Sequence, residues 1–161
     1  MDDLAGLTKG ALGRFAKSVA IITTRWNEQR YAMAATAVVG LSLDPPSLLV
    51  CVNKTASLSK PLLAGARFAV NLLGKDHAAL PVCCSAPQYG EDRFKMGDWR
   101  EWETVPILED AQASFVCTPD SVMPYGTHYV VIGKVDSVRQ SGPVDPLVYV
   151  DHVYHRTAML E

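Results

Sequence analysis

The sequence predicts a mainly β domain, a mostly antiparallel barrel with short helices at its periphery. Three observations carry this. Six runs rich in β-branched and aromatic residues recur along the chain, each bounded by turn chemistry. The early runs follow one another at hairpin spacing, and the later ones are separated by short helical stretches, unlike a regular parallel βαβ sheet. The length of 161 residues, 48% hydrophobic and 20% charged, suits a single domain over 1–161 that needs no metal or disulfide staple.

In order, residues 4–17 place Leu4, Leu7, Ala11 and Phe15 at helical spacing behind Asp3 as N-cap. They predict an amphipathic helix covering one side of the domain. The β runs are residues 19–24, 31–40, 47–52, 68–73, 113–118 and 129–138. Asn27 and Glu28 fit a hairpin tip, and Leu43, Asp44, Pro45 and Pro46 a tight corner. Residues 57–65 read as a helix with Pro61 in its first turn. A second helical stretch, 75–84, is ended or kinked by Pro81. Residues 88–102 and 119–125 read as interruptions, the first a charged, aromatic surface loop able to rim a site.

Fifteen basic against seventeen acidic side chains leave a formal charge of −2, without the basic excess of a nucleic-acid or anionic-membrane binder. No apolar run reaches the roughly 18–20 residues of a membrane span, and Met1, Asp2 and Asp3 make the start acidic where a targeting signal is basic. Cys51, Cys83, Cys84 and Cys117 follow no paired or zinc-type spacing. The expectation is a cytoplasmic protein with reduced thiols.

No dinucleotide fingerprint, Walker loop, zincin motif or nucleophile elbow is present, so chemistry has to come from looser constellations. Asn53, Lys54, Thr55, Ser57 and Ser59 gather one ammonium and several hydroxyls between a strand and a helix. They suit a phosphate group, or else Ser57 or Ser59 simply caps the helix. Ala32, Met33, Ala34, Ala35, Thr36 and Ala37 form a strand of mostly small side chains. Such a strand admits a flat aromatic ligand against its backbone, or a crowded strand crossing. His128, at a strand mouth, can orient a substrate or exchange a proton, or can be a hydrogen-bonded surface residue. His152 and His155 beside Asp151 lack a further ligand to make a metal site, and Cys83 and Cys84 are expected as buried thiols.

Taken in order, Val19 to Thr24, Ala32 to Ala37, Ser42 to Pro46, Leu49 to Lys54, Phe68 to Leu73, Asp92-Arg93-Phe94, Thr127 to Val135 and Pro146 to Tyr149 resemble the flavin reductase-like family. The resemblance implies an FMN-binding split β-barrel, antiparallel and Greek-key-like, that forms a homodimer. It also implies hydride transfer from NADH or NADPH to FMN or FAD, with the reduced flavin supplied to a partner monooxygenase. The other outcome within this fold is a redox or sensor protein that retains FMN. By position, Met33, Ala34, Ala35, Thr36 and Ala37 are implied to line the ring and ribityl chain, and Asn53 and Lys54 to contact flavin polar groups. Ser57 and Ser59 are implied to hold the phosphate, and His128 to face the nicotinamide. Members commonly carry a hydroxyl residue where Ala34 stands and glycine where Ala32 stands.

Overall fold

Seven antiparallel strands build the central sheet of this computed structural model, which describes residues 3–161, the side chains of residues 87–89 excepted. Met1 and Asp2, which begin the acidic N-terminus, lie outside the described residues. The chain forms α1 (Leu4–Leu12), β1 (Lys17–Ser18), β2 (Ala20–Trp26), β3 (Gln29–Ala35), β4 (Val38–Leu43) and β5 (Pro46–Asn53). It continues through α2 (Ser59–Leu63), β6 (Phe68–Leu72), a 3₁₀ turn (Lys75–His77), α3 (Leu80–Ser85) and a 3₁₀ segment (Pro87–Lys95). β7 (Trp99–Trp102), β8 (Val105–Leu108), β9 (Ala113–Tyr125), β10 (His128–Gln140), β11 (Leu147–Val150) and β12 (Val153–Arg156) complete it.

The main sheet runs β3-β2-β6-β9-β10-β5-β4, so its two end strands are consecutive in sequence. That connectivity curls the sheet on itself, and the Cys51 amide donates to the Ala37 carbonyl at 3.0 Å where the two ends meet. Beyond that point β3 pairs with β2 and leaves β5, so the barrel is split there. β1, β11 and β12 form a second small sheet, and β7 and β8 a hairpin. The mainly β architecture with peripheral helices is the expected one.

β2 explains why its sequence shows no alternation. Ala20 and Ile22 face the barrel interior with Val50, Val52, Leu58, Leu62, Phe68, Val70 and Val131. Val19 and Ile21 face outward, under Leu73, Leu80, Phe94, Leu108 and Leu147. A strand buried on both faces reads as a continuous apolar run, and each such side chain contributes about 1.5–3 kcal/mol by leaving water. Gly133 is required by packing: a Cβ there would sit 2.5 Å from Phe68 Cζ and 3.0 Å from Cys117 Cβ. Asn71 is wholly buried and joins three elements. Its Nδ2 donates to Ile21 O at 3.0 Å and Thr23 Oγ1 at 3.2 Å, while its Oδ1 accepts from Leu108 N and Ser114 Oγ, both at 2.9 Å.

Several local expectations are corrected. α1 is capped by Asp3 as expected, through bonds to Ala5 N and Gly6 N, both 3.1 Å. It stops at Leu12 and buries none of its residues against the rest of the chain, with Leu4 76% exposed. The run 31–40 is two strands, because Thr36 and Ala37 carry the chain from one sheet edge to the other. Residues 119–125 continue β9 rather than interrupt it. β6 pairs β9 only as far as Cys117, so beyond it one edge of β9 is free and prolines there cost no ladder bond on that side. Pro81 opens α3 instead of ending a helix. Part of the loop 88–102 is the strand β7, and Arg93 and Phe94 within it are buried.

Candidate functional site at the split of the barrel

β3 supplies one wall of the split. The Ala32 carbonyl accepts from Arg93 Nη1 at 2.6 Å, so it points away from β2. By the alternation of an antiparallel ladder, the Ala34 amide and carbonyl point the same way. Met33 and Ala35 pack on the interior cluster, while Ala34 lies on the outer face. A cavity of about 310 Å³ opens there, lined by Ala34, Ala35 and Thr36 together with Pro81, Val82 and Tyr154. Small side chains are what let this edge be approached, since Ala34 and Thr36 are half-buried and Ala37 is exposed.

The end of β5 and the turn after it supply the second wall. Asn53 Oδ1 accepts from Thr55 N at 2.9 Å and from Thr55 Oγ1 at 2.8 Å, which closes the turn and leaves the Asn53 amide donors for a ligand. The Lys54 amide donates to Thr127 O at 3.0 Å, tying this turn to the β9–β10 hairpin. The Lys54 ammonium sits 5.6 Å from the centroid of the Tyr129 ring and pairs with no carboxylate among the described residues. Ser57 is exposed. Ser59 is not a ligand-facing hydroxyl: it is buried, and its Oγ donates to Lys54 O at 3.1 Å. Neither serine caps α2, whose N-cap is Leu58, and a five-residue helix has little dipole to offer. Loop amides, Lys54 and Ser57 therefore carry whatever anion affinity the turn has.

His128 begins β10, opposite Asn53 of β5 and Tyr125 of β9. It is exposed, with Nδ1 2.8 Å from the Thr127 hydroxyl. The structure thus brings Thr36 and Ala37, the turn from Asn53 to Ser57, and His128 to one end of the barrel. Met33 also packs on the interior cluster that holds Ala56 and Leu58. His152 and His155 lie elsewhere, His152 at the β11–β12 turn and His155 within β12.

Arg93, which the sequence offered only within a surface loop and the Asp92-Arg93-Phe94 resemblance, is the one residue of this region that was given no site role. Arg93 is only 7% exposed and clamps the 3₁₀ segment to β3, its Nη2 donating to Ala86 O at 3.1 Å. Its signal was the adjacent Phe94, which packs edge-on against Trp99 at 5.3 Å between ring centroids. Nearby, Cys84 is buried as expected and its thiol is pushed up to about 12, first by desolvation and then by Cys83; Cys83 itself is half-buried. All four cysteines are free.

Comparison with known proteins places this arrangement. Residues 12–158 match the family described as the flavin reductase like domain. The chain is 38% identical over 144 residues to the reductase component of the FADH(2)-dependent resorcinol hydroxylase of Rhizobium sp. strain MTP-10005, covering 88% of this chain and 80% of the relative. It is 34% identical over 151 residues to the FMN reductase (NADH) RutF of Variovorax paradoxus, covering 93% and 84%. Among solved structures, the flavin reductase PheA2 aligns with a TM-score of 0.85 and 28% identity, over 99% of this chain and 100% of that one. The nitrilotriacetate monooxygenase component B homologue from Mycobacterium thermoresistibile aligns with a TM-score of 0.89 and 29% identity, over 96% and 87%. With its split barrel and nearly full-length match, this chain belongs to the flavin reductase-like domain family.

Proposed function

We propose that this chain is an NAD(P)H-dependent flavin reductase that passes a hydride from a reduced nicotinamide to FMN or FAD and supplies the reduced flavin to a monooxygenase partner. One observation carries the reading. The outward-facing edge of β3 at Ala34 leads into the Ala37–Cys51 contact at the split, and β5 runs from there into a turn whose Lys54 pairs with no carboxylate among the described residues. The residues fit a flavin. Edge amides suit the polar rim of a flat ring, the short side chains of β3 let that ring approach, and Lys54 with Ser57 suits a phosphate.

When bound, the flavin supplies the hydride-accepting chemistry, and the chain needs no acid–base dyad. Ala34 presents its backbone, and Ala35, Thr36 and Ala37 their short side chains, to the ring and ribityl chain, while Met33 backs them from the interior cluster. Asn53 donates through its free amide nitrogen, and Lys54 and Ser57 hold the phosphate. His128, its ring fixed by Thr127, stands at the nicotinamide side, where it orients the donor and helps to exclude water. A turn on the surface, without a long helix behind it, holds the phosphate weakly enough for exchange.

A homodimer accords with the apolar outer face of β4. Val39 is 56% and Leu43 91% exposed, beside an apolar groove of about 670 Å³. The two relatives named above support a flavin and NADH as reactants and a hydroxylase as one kind of partner. Free cysteines suit a reducing, cytoplasmic setting.

Binding is tested by titrating FMN, FAD and riboflavin against the protein and following flavin fluorescence. Saturable quenching, tighter for FMN than for riboflavin, is expected. Absence of quenching with every flavin would overturn the reading.

A further inference from the structure

Arg93 carries a buried charge that pairs with no carboxylate among the described residues. Its nearest acidic neighbours in sequence are engaged elsewhere, Glu91 with Arg30 and Asp92 with Lys95. Among the described residues its partners are two neutral carbonyls, Ala32 O at 2.6 Å and Ala86 O at 3.1 Å. Its Nε is buried and has no partner among the described residues. A buried charge without a counter-charge is held against its desolvation cost. The adjacent Phe94 is buried as well, and the already paired Arg30 stacks over its ring at 4.2 Å.

The position gives this charge a direction. Arg93 grips the edge of β3 at Ala32, and Ala34, whose amide faces the split, follows two residues along, about 7 Å away on a strand. The geometry points to Arg93 as the positioning residue that electrostatically favours the reduced flavin on β3: its charge is matched when hydride transfer places negative charge on the ring. The electron pair and hydrogen leave the nicotinamide, which becomes cationic, and the flavin acquires the negative charge. This inference rests on the flavin-reductase reading of the split.

The test measures dissociation constants of oxidised FMN in air and of reduced FMN under anaerobic conditions, for wild type, Arg93→Gln and Arg93→Lys. Circular dichroism and melting temperature establish that each variant is folded. Glutamine keeps a donor for the carbonyls and removes the charge; lysine keeps the charge and removes the fork. We expect Arg93→Gln to lower the oxidised-to-reduced ratio of Kd on the order of tenfold, and Arg93→Lys to hold it within about twofold of wild type. A clamp without an electrostatic role weakens both redox forms alike and leaves the ratio unmoved, and that result overturns the inference. So does a ratio that falls as far in Arg93→Lys as in Arg93→Gln. If Arg93→Gln does not fold, Arg93→Met takes its place as the neutral variant: a ratio lowered on the order of tenfold supports the inference and an unmoved ratio overturns it. A wild-type protein that binds neither form of FMN refutes instead the flavin reading on which the inference stands.

Discussion

His128 and Asn53 stand directly opposite one another in the β5–β10 ladder, and the Lys54 amide is bonded to the Thr127 carbonyl at 3.0 Å. The strand pair therefore fixes the histidine relative to the turn that follows Asn53, although both are near the surface. A group placed by a sheet register is held more rigidly than one on a free loop. His128→Ala should raise the nicotinamide nucleotide KM or lower turnover by about tenfold while leaving flavin Kd nearly unchanged. Steady-state kinetics with flavin and nucleotide varied separately check this. A loss confined to flavin affinity would move His128 to the flavin side.

Lys54 and Ser57 touch only the phosphate end in this account. Lys54→Ala and Ser57→Ala should weaken FMN by about tenfold or less and riboflavin hardly at all, because only FMN has the phosphate. Fluorescence titration of both ligands measures the difference. Equal losses for the two would show that the turn contacts another part of the flavin. Ser59→Ala belongs to a different class: its hydroxyl holds the Lys54 carbonyl, so both flavins should weaken together as the turn loosens.

Much of the fold was legible because burial writes a strong pattern. The β2 run, the Asn27–Glu28 turn and the long β10 strand all stand where the sequence places them; Asn27 and Glu28 have φ of 50° and 62°, the geometry of a two-residue hairpin. What was missed depends on neighbours the sequence does not display. The break at Thr36 and Ala37 leaves no mark because small residues suit a crossing and a strand alike. Pro119 and Pro124 resembled punctuation, yet they sit where β9 has lost its β6 partner. For the site, polar residues between a strand and a helix were legible as a group. The burial of Ser59 and Arg93 was not, because each is hidden by packing from distant segments.

Asn71 is a stringent test of the packing. All of its hydrogen-bonding capacity is engaged in the core, bridging β2, β8 and β9. Asn71→Leu should cost about 2–4 kcal/mol, because it strands the Leu108 amide and the Ser114 hydroxyl without partners. Denaturant unfolding measures it. A change below about 0.5 kcal/mol would contradict a fully engaged network.

Buried thiols give a pH signature. Cys84 and Cys117 are both pushed from near 9 to about 12, primarily by desolvation. Between those values the unfolded chain has lost these protons and the folded chain keeps them. Their stabilisation is whole below pH 9 and is lost as pH rises towards 12, on the order of a few kcal/mol for the pair. A Cys84→Ala, Cys117→Ala variant should therefore lose less melting temperature than wild type between about pH 8 and pH 10.5. Mass spectrometry after brief alkylation near pH 8 should find label on Cys51 and Cys83 long before Cys84 and Cys117.

The most direct measurement is nucleotide oxidation at 340 nm by the purified protein, with NADH or NADPH and with FMN, FAD or no added flavin. Turnover should depend on added flavin, saturate with it, and leave free reduced flavin that an external acceptor can oxidise. No oxidation of either nucleotide with any flavin would contradict it.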